Sequence, residues 1–182
     1  MKKLTILLVA LTTLILSCSQ KKNKLKEKLD QYATSYQMED YVKMSSFVLP
    51  SVMEQIGGTE NFVNLMTSLP ATFANAGMKV DLRKIEFGEI GEIYEKSNFL
   101  ISVVTTTLPI EVNNMKGTIK SSVIGFSEDK GETWYFIEGN DEGRTAISNT
   151  NPEIIQLIKV PTPEMKIGDK ILVQKGGQWI KK

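Results

Sequence analysis

Apolar residues along the first part of the chain recur at helical spacing. Leu25, Leu29, Tyr32, Tyr36, Tyr41, Met44 and Val48 fall mostly three or four positions apart, with Lys28, Gln31, Glu39 and Lys43 between them. That period predicts one amphipathic helix from Lys24 to Val48. Pro50 ends it, and "PSVMEQIGG" predicts a short second helix, with Ser51 and Glu54 as a capping box and Gly57 at the left-handed C-terminal position. A third helix, "ENFVNLMTSL", is capped by Thr59 and interrupted at Pro70, with "ATFANAG" adding a turn or two. Its apolar stripe of Phe62, Val63, Met66, Leu69 and Phe73 requires a partner surface.

From Met78 the period changes to that of strands. "MKVDLRKIEFGEIGEIYEK" predicts a first, irregular strand, bent at Gly88 and Gly91. "NFLISVVTTTLPIEV" is a long second strand, whose Pro109 belongs at an edge or a bulge. A turn at Asn113-Asn114 leads into "KGTIKSSVIGFS", and "TWYFIEG" supplies a fourth strand. The links are short, so the strands are expected to be antiparallel. Helices followed by strands predict an α+β fold. Beyond Gly139 the pattern weakens. "NDEGRTAISNTN" reads as loop, "PEIIQLI" as a short helix, "VPTPEMKIGD" as extended chain and "KILVQKGGQWIKK" as a terminal hairpin.

The first residues carry a different signal. Lys2 and Lys3 precede an apolar run from Leu4 to Leu16, shorter than the roughly 20 residues of a membrane span. The run ends Ile15-Leu16-Ser17-Cys18. This resembles a bacterial lipobox, which implies cleavage before Cys18, diacylglycerol on its sulfur and acylation of the new amino group. Two or three acyl chains make a stable anchor where one is marginal. The resemblance therefore implies a lipoprotein of the cell envelope. Ser19 in place of Asp points to the outer membrane, facing the periplasm. The expected organisation is a leader over 1–17, a lipidated tether over 18–24, a main domain over 25–139 and a C-terminal extension over 140–182. The basic stretch Lys21 to Lys28 reads as a solvated tether, or as a contact for anionic headgroups.

Composition narrows the chemistry. There is no histidine, and Cys18 is the single cysteine. Imidazole-based triads, histidine metal sites, disulfides and thiolate chemistry are thereby excluded. The formal net charge is +1 and falls to near neutrality without Lys2 and Lys3, so no basic field for nucleic acid exists. No phosphate-binding, dinucleotide-binding or nucleophile-elbow motif occurs, and no cofactor is implied. Any enzyme here would depend on carboxylates, tyrosine or lysine.

One motif suggests catalysis. Ser127-x-Asp129-x-Gly131-x-Thr133-Trp134 resembles the Asp-box of sialidases and other β-propellers. A propeller requires several four-stranded blades, and this chain has one copy of the motif and too few strands. The same residues build a tight turn: Asp129 accepts backbone N–H groups, Gly131 takes positive φ, and Trp134 covers the hairpin.

Taken together, "YQMEDYVKM", "LPSVMEQIGG" and a meander ending in "SEDKGETWYFIEG" resemble uncharacterised lipoproteins of Bacteroidota with the nuclear transport factor 2-like (SnoaL-like) cone fold. The resemblance implies N-terminal helices packed in a curved, cone-shaped, four-stranded antiparallel meander, with a short C-terminal helix and hairpin appended. It implies a pocket within the cone, to which Tyr36, Asp40, Trp134 and Phe136 are the candidate contributors. The family's aspartate–histidine pair has no counterpart here.

Other candidates have plainer explanations. Glu86, Glu89, Glu92 and Glu95 could hold Ca²⁺, but on a bent strand they scatter over both faces. Met38, Met44, Met53 and Met66 read as gap-fillers. The expectation is a membrane-anchored, non-catalytic domain that binds a small apolar ligand or an envelope protein. The alternatives are a carboxylate- or tyrosine-based enzyme and a structural envelope component.

Overall fold

The computed structural model describes the backbone from Lys2 and side chains from Gln20 to Lys182. The leader side chains and Cys18 lie outside the described residues. Among the described residues no helix is long and apolar enough to cross a membrane.

The helical part differs from expectation at its breaks. Helix α1 (Lys2–Gln37) ends ahead of Glu39, which takes φ of 55°, and α2 (Tyr41–Ser45) starts afresh. Asp40 explains the restart: its side chain accepts from the Lys43 amide at 2.9 Å and caps α2. Helix α3 (Pro50–Ile56) has Leu49 at its N-cap and no side-chain cap, so the expected Ser51 box does not form. Gly57 does close α3 in the left-handed conformation, with φ of 89°. Helix α4 (Thr59–Asn75) passes through Pro70 without stopping, and Gly58, not Thr59, is its N-cap.

The sheet overturns the expected four-stranded cone. It is a curled, antiparallel half-barrel of nine strands. Its spine is the hairpin of β4 (Phe99–Val112) and β5 (Met115–Ser127), paired from Leu100↔Ser127 to Val112↔Met115. Asn113 and Asn114 turn it with φ of 51° and 64°, the left-handed pair that matches strand twist. The single irregular strand expected before it is three: β1 (Met78–Val80), β2 (Glu86–Ile90) and β3 (Tyr94–Lys96). They line one edge of β4 in succession. Partners on that edge stop at Thr107 and resume at Ile110, so Pro109, which has no N–H to offer, falls in the gap.

The other edge of β5 is also shared. β6 (Tyr135–Glu138) pairs with Val123–Phe126, and β7 (Glu164–Ile167) pairs with Gly117–Lys120. β8 (Lys170–Lys175) and β9 (Gln178–Lys181) continue from β7. The segment read as extended chain thus joins the terminal hairpin to the main sheet. Between β6 and β7, the segment read as loop forms α5 (Asp141–Thr150), while the expected helix over "PEIIQLI" is only a 3₁₀ turn at Ile155–Leu157.

Both faces of the sheet are covered. Leu25, Leu29, Tyr32 and Tyr36 of α1 pack with Met44, Phe62 and Met66 against Leu100, Val104, Val123 and Phe136 on the concave face. On the opposite face Ile101, Ile124, Phe126 and Ile137 pack with Ile147, Ile154 and Ile158. The chain passes between faces at the edge of β6. Phe47 belongs to the first cluster and Leu49 to the second, and the Phe136 amide donates to the Phe47 carbonyl at 2.7 Å. A third cluster, with Ile110, Met165 and Ile167 at its centre, ties the terminal strands to β4 and β5.

Candidate functional site

The concave face is only partly filled. Between α3, α4 and the sheet lies a cavity of about 650 Å³. Leu108 of β4 and Ile119 of β5 lie on its sheet side, facing Phe62, Met66, Leu69 and Phe73 of α4. The alternation of the strands sets this up: Thr106 and Leu108 are in phase with Leu100 and Val104 and pair with Ser121 and Ile119. The pairing Ile119↔Met165↔Leu172 carries the same face into the terminal strands, so Gln174 and Trp179 wall the far side.

An aromatic wall borders one end. Tyr32 stacks on Phe136, with centroids 4.9 Å apart, and meets Tyr36 edge-on at 5.2 Å. The two tyrosines are one helical turn apart on α1, which aligns them on one face. The Tyr32 hydroxyl donates to that of Tyr36 at 3.4 Å. Burial raises both phenols well above the ordinary tyrosine range, so both keep their protons at neutral pH.

Beside this wall stands Glu138, the last residue of β6. It pairs with Val123 and follows Phe136 in the alternation, which aims its carboxylate into the cavity. By surface area the side chain is exposed to solvent where it borders the cavity, although protein packs around it on the remaining sides. Burial raises its pKa from 4.5 to about 7, and no neighbouring cation or donor offsets that burial. Its charge in turn adds to the raised pKa values of Tyr32 and Tyr36.

The sequence candidates divide. Tyr36 and Phe136 line the cavity. Asp40 caps α2 at an exposed position and contributes nothing to the cavity. Trp134 is buried in the core against Gly125 and Gly131 and does not line it. Glu86, Glu89, Glu92 and Glu95 are exposed, and Glu95 pairs with Lys21. Among the described residues no group of three or more His, Cys, Asp or Glu is placed to hold a metal ion.

The Asp-box residues form a structural turn. The Ser127 hydroxyl donates to Asp129 at 2.9 Å and accepts from the Gly131 amide, and Asp129 accepts from the Thr133 amide at 2.8 Å. Burial acts against the Asp129 carboxylate, but these hydrogen bonds outweigh it and hold its pKa low. Gly131 takes φ of 92°.

Glu138 was absent from the sequence candidates, although a signal existed. Trp134, Phe136 and Glu138 alternate, so a charged and exposed residue follows two buried aromatic ones on one face of "TWYFIE". No family model matches the chain, and no curated protein matches it.

Proposed function

We propose that this chain is a lipid-anchored cell-envelope protein whose folded part holds a small, largely apolar ligand without transforming it. The observation that carries the reading is the cavity of about 650 Å³, well inside the roughly 300–1,000 Å³ range of ligand sites and lined mostly by apolar and aromatic side chains with a few polar groups. Binding is favoured over catalysis by the state of the polar groups. The tyrosine pair is held protonated, and the carboxylate beside it is not hydrogen-bonded to a nucleophile or to an orienting partner.

Displacement of a neutral naphthylamine dye by apolar amphiphiles tests this reading. Leu108→Trp puts an indole into the cavity and is expected to weaken dye binding at least tenfold. The reading is wrong if the parent protein takes up no dye, or if the tryptophan variant binds as well as the parent.

The anchor rests on the Lys2–Cys18 pattern. Metabolic labelling with palmitate is expected to mark the parent chain and not Cys18→Ser, which should move from the membrane to the soluble fraction. If the chain were cut before Cys18, α1 would retain every packed residue among those described, the first of which is Leu25.

A further inference from the structure

We infer that the cavity selects hydrophobic cations: an amphiphile whose ammonium group docks between Glu138 and the wall of Tyr32, Tyr36 and Phe136, with its apolar part lying between α4 and the β4–β5 floor. The inference rests on the cavity being a ligand site and adds the sign of the ligand's charge.

The charge census of the lining points this way. Among the described residues Glu138 and Glu142 are the only charged ones that line the cavity, and neither lysine nor arginine does. Several carboxylates of the fold pair with cations, as Glu95 does with Lys21 and Glu111 with Lys79. Others, such as Glu54 and Glu89 on the surface, pair with none among the described residues; Glu138 differs from these in bordering the cavity. Glu138 borders a largely apolar cavity and has no ion-pair partner among the described residues. A carboxylate in such a place gains most from a ligand that brings the missing positive charge. Aromatic faces add to this, because ring quadrupoles attract a desolvated ammonium group.

A metal ion is a poorer match. Calcium takes about six to eight oxygen ligands, and here one carboxylate faces hydroxyls and an apolar floor. An anionic amphiphile would meet two like charges. Glu142, exposed at the rim on α5, extends the negative potential to the mouth and steers cations inward.

The groups facing Glu138 set its response to pH. From α1 come Tyr32 and Tyr36, both protonated, and from α5 comes Glu142. The central strands offer Thr106 and Ser121, and the terminal strands offer Gln174 and Trp179. The lining residues of α2, α3 and α4 carry no ionisable group. A cation therefore binds best above the pKa of Glu138, about 7, and must displace a proton below it.

The test compares ligands with one tail and different heads: decylamine, decanol and decanoate, kept below micelle-forming concentrations and read by dye displacement. At about pH 8 the amine is expected to bind at least about tenfold tighter than the alcohol, and decanoate weakest. In Glu138→Gln the advantage of amine over alcohol disappears. Decyltrimethylammonium, whose charge does not titrate, is expected to lose affinity for the parent protein as pH falls below about 7, by a total of roughly tenfold, matching the advantage of amine over alcohol. That arm needs no variant, so it decides even if Glu138→Gln folds poorly. Equal binding of the three heads, a preference for decanoate, or a pH-independent affinity for the quaternary ligand overturns the inference while the cavity remains a ligand site. Failure of every amphiphile to displace dye overturns the ligand site itself.

Discussion

Glu138 follows Phe136 on one face of β6 but is itself exposed to solvent beside the cavity. Its carboxyl titrates near 4.5 in the unfolded chain and near 7 in the fold. Between those values the unfolded state has released its proton and the native state still holds it, so stability falls as pH rises through the window and the loss is complete above it. Glu138→Gln removes that loss. The variant should melt above the parent at about pH 8 by roughly 2–4 °C, corresponding to about 1 kcal/mol after allowance for water in the cavity. At about pH 4 the two should melt together. Thermal melts across pH decide it: a difference that does not change with pH would show that Glu138 is not held neutral by its surroundings. The same alternation that buries Phe136 delivers this carboxylate, so its position was legible in "TWYFIE". Its lack of an ion-pair partner among the described residues was not, because that depends on residues far away in the chain.

At the scale of elements, the informative case is α5. Its start carries ordinary capping chemistry: the Asn140 side chain accepts from the Gly143 amide at 2.8 Å, and Asp141 and Glu142 occupy the first turn. Those signals sit in a polar stretch with a glycine, and the weak apolar stripe made the segment read as loop. Gly143 is there for contact. A Cβ at that position would lie 2.0 Å from the Glu138 carbonyl, so α5 can approach β6 this closely only with glycine. Asn140→Ala should cost about 1 kcal/mol in denaturant melts. Gly143→Ala should cost more, because the clash is with backbone that cannot move aside. The reverse ranking would mean that α5 is held by its cap more than by its packing. The first helix makes the complementary point. Its apolar period continues through Asp40, yet Asp40 caps a new helix, since a side chain that can satisfy a free amide competes with continuing the turn.

For the whole molecule, the cavity lies mainly on the concave face and reaches round the edge of β6 only to Ile137 and α5. Phe126 lies fully buried on the face away from the cavity, among Ile101, Ile124 and Ile147. Phe126→Ala should destabilise by about 3–5 kcal/mol. Below its lowered melting temperature it should keep the same order of preference among cationic, neutral and anionic amphiphiles. A changed order at unchanged fold would show that the faces are coupled through the sheet. The terminal strands serve the cavity as well as the sheet. Trp179 and Gln174 close its far wall, and Met165 pairs with Ile119 beneath it. Hydrogen exchange should accordingly be slowest where the spine is paired on both sides, at Thr106 and Thr107 of β4 and at Val123–Phe126 of β5, and fast in β9, the last strand of the sheet.

The sequence alone determined what is local and periodic. It placed the long hairpin and its Asn113-Asn114 turn, the apolar face of the first helix, the Asp129 turn and the excluded chemistry of a chain without histidine. These depend on neighbours in the chain, where side-chain period and turn geometry are sufficient. Only the tertiary structure decided how one long strand pair could serve two sets of partners. Three short strands share one edge of β4, while β6 and β7 share one edge of β5, because each partner is shorter than the spine it joins. The cavity follows from that arrangement. Its walls come from α1, α4, β6 and β9, segments far apart in sequence, and the unpaired charge of Glu138 acquires meaning only where they meet.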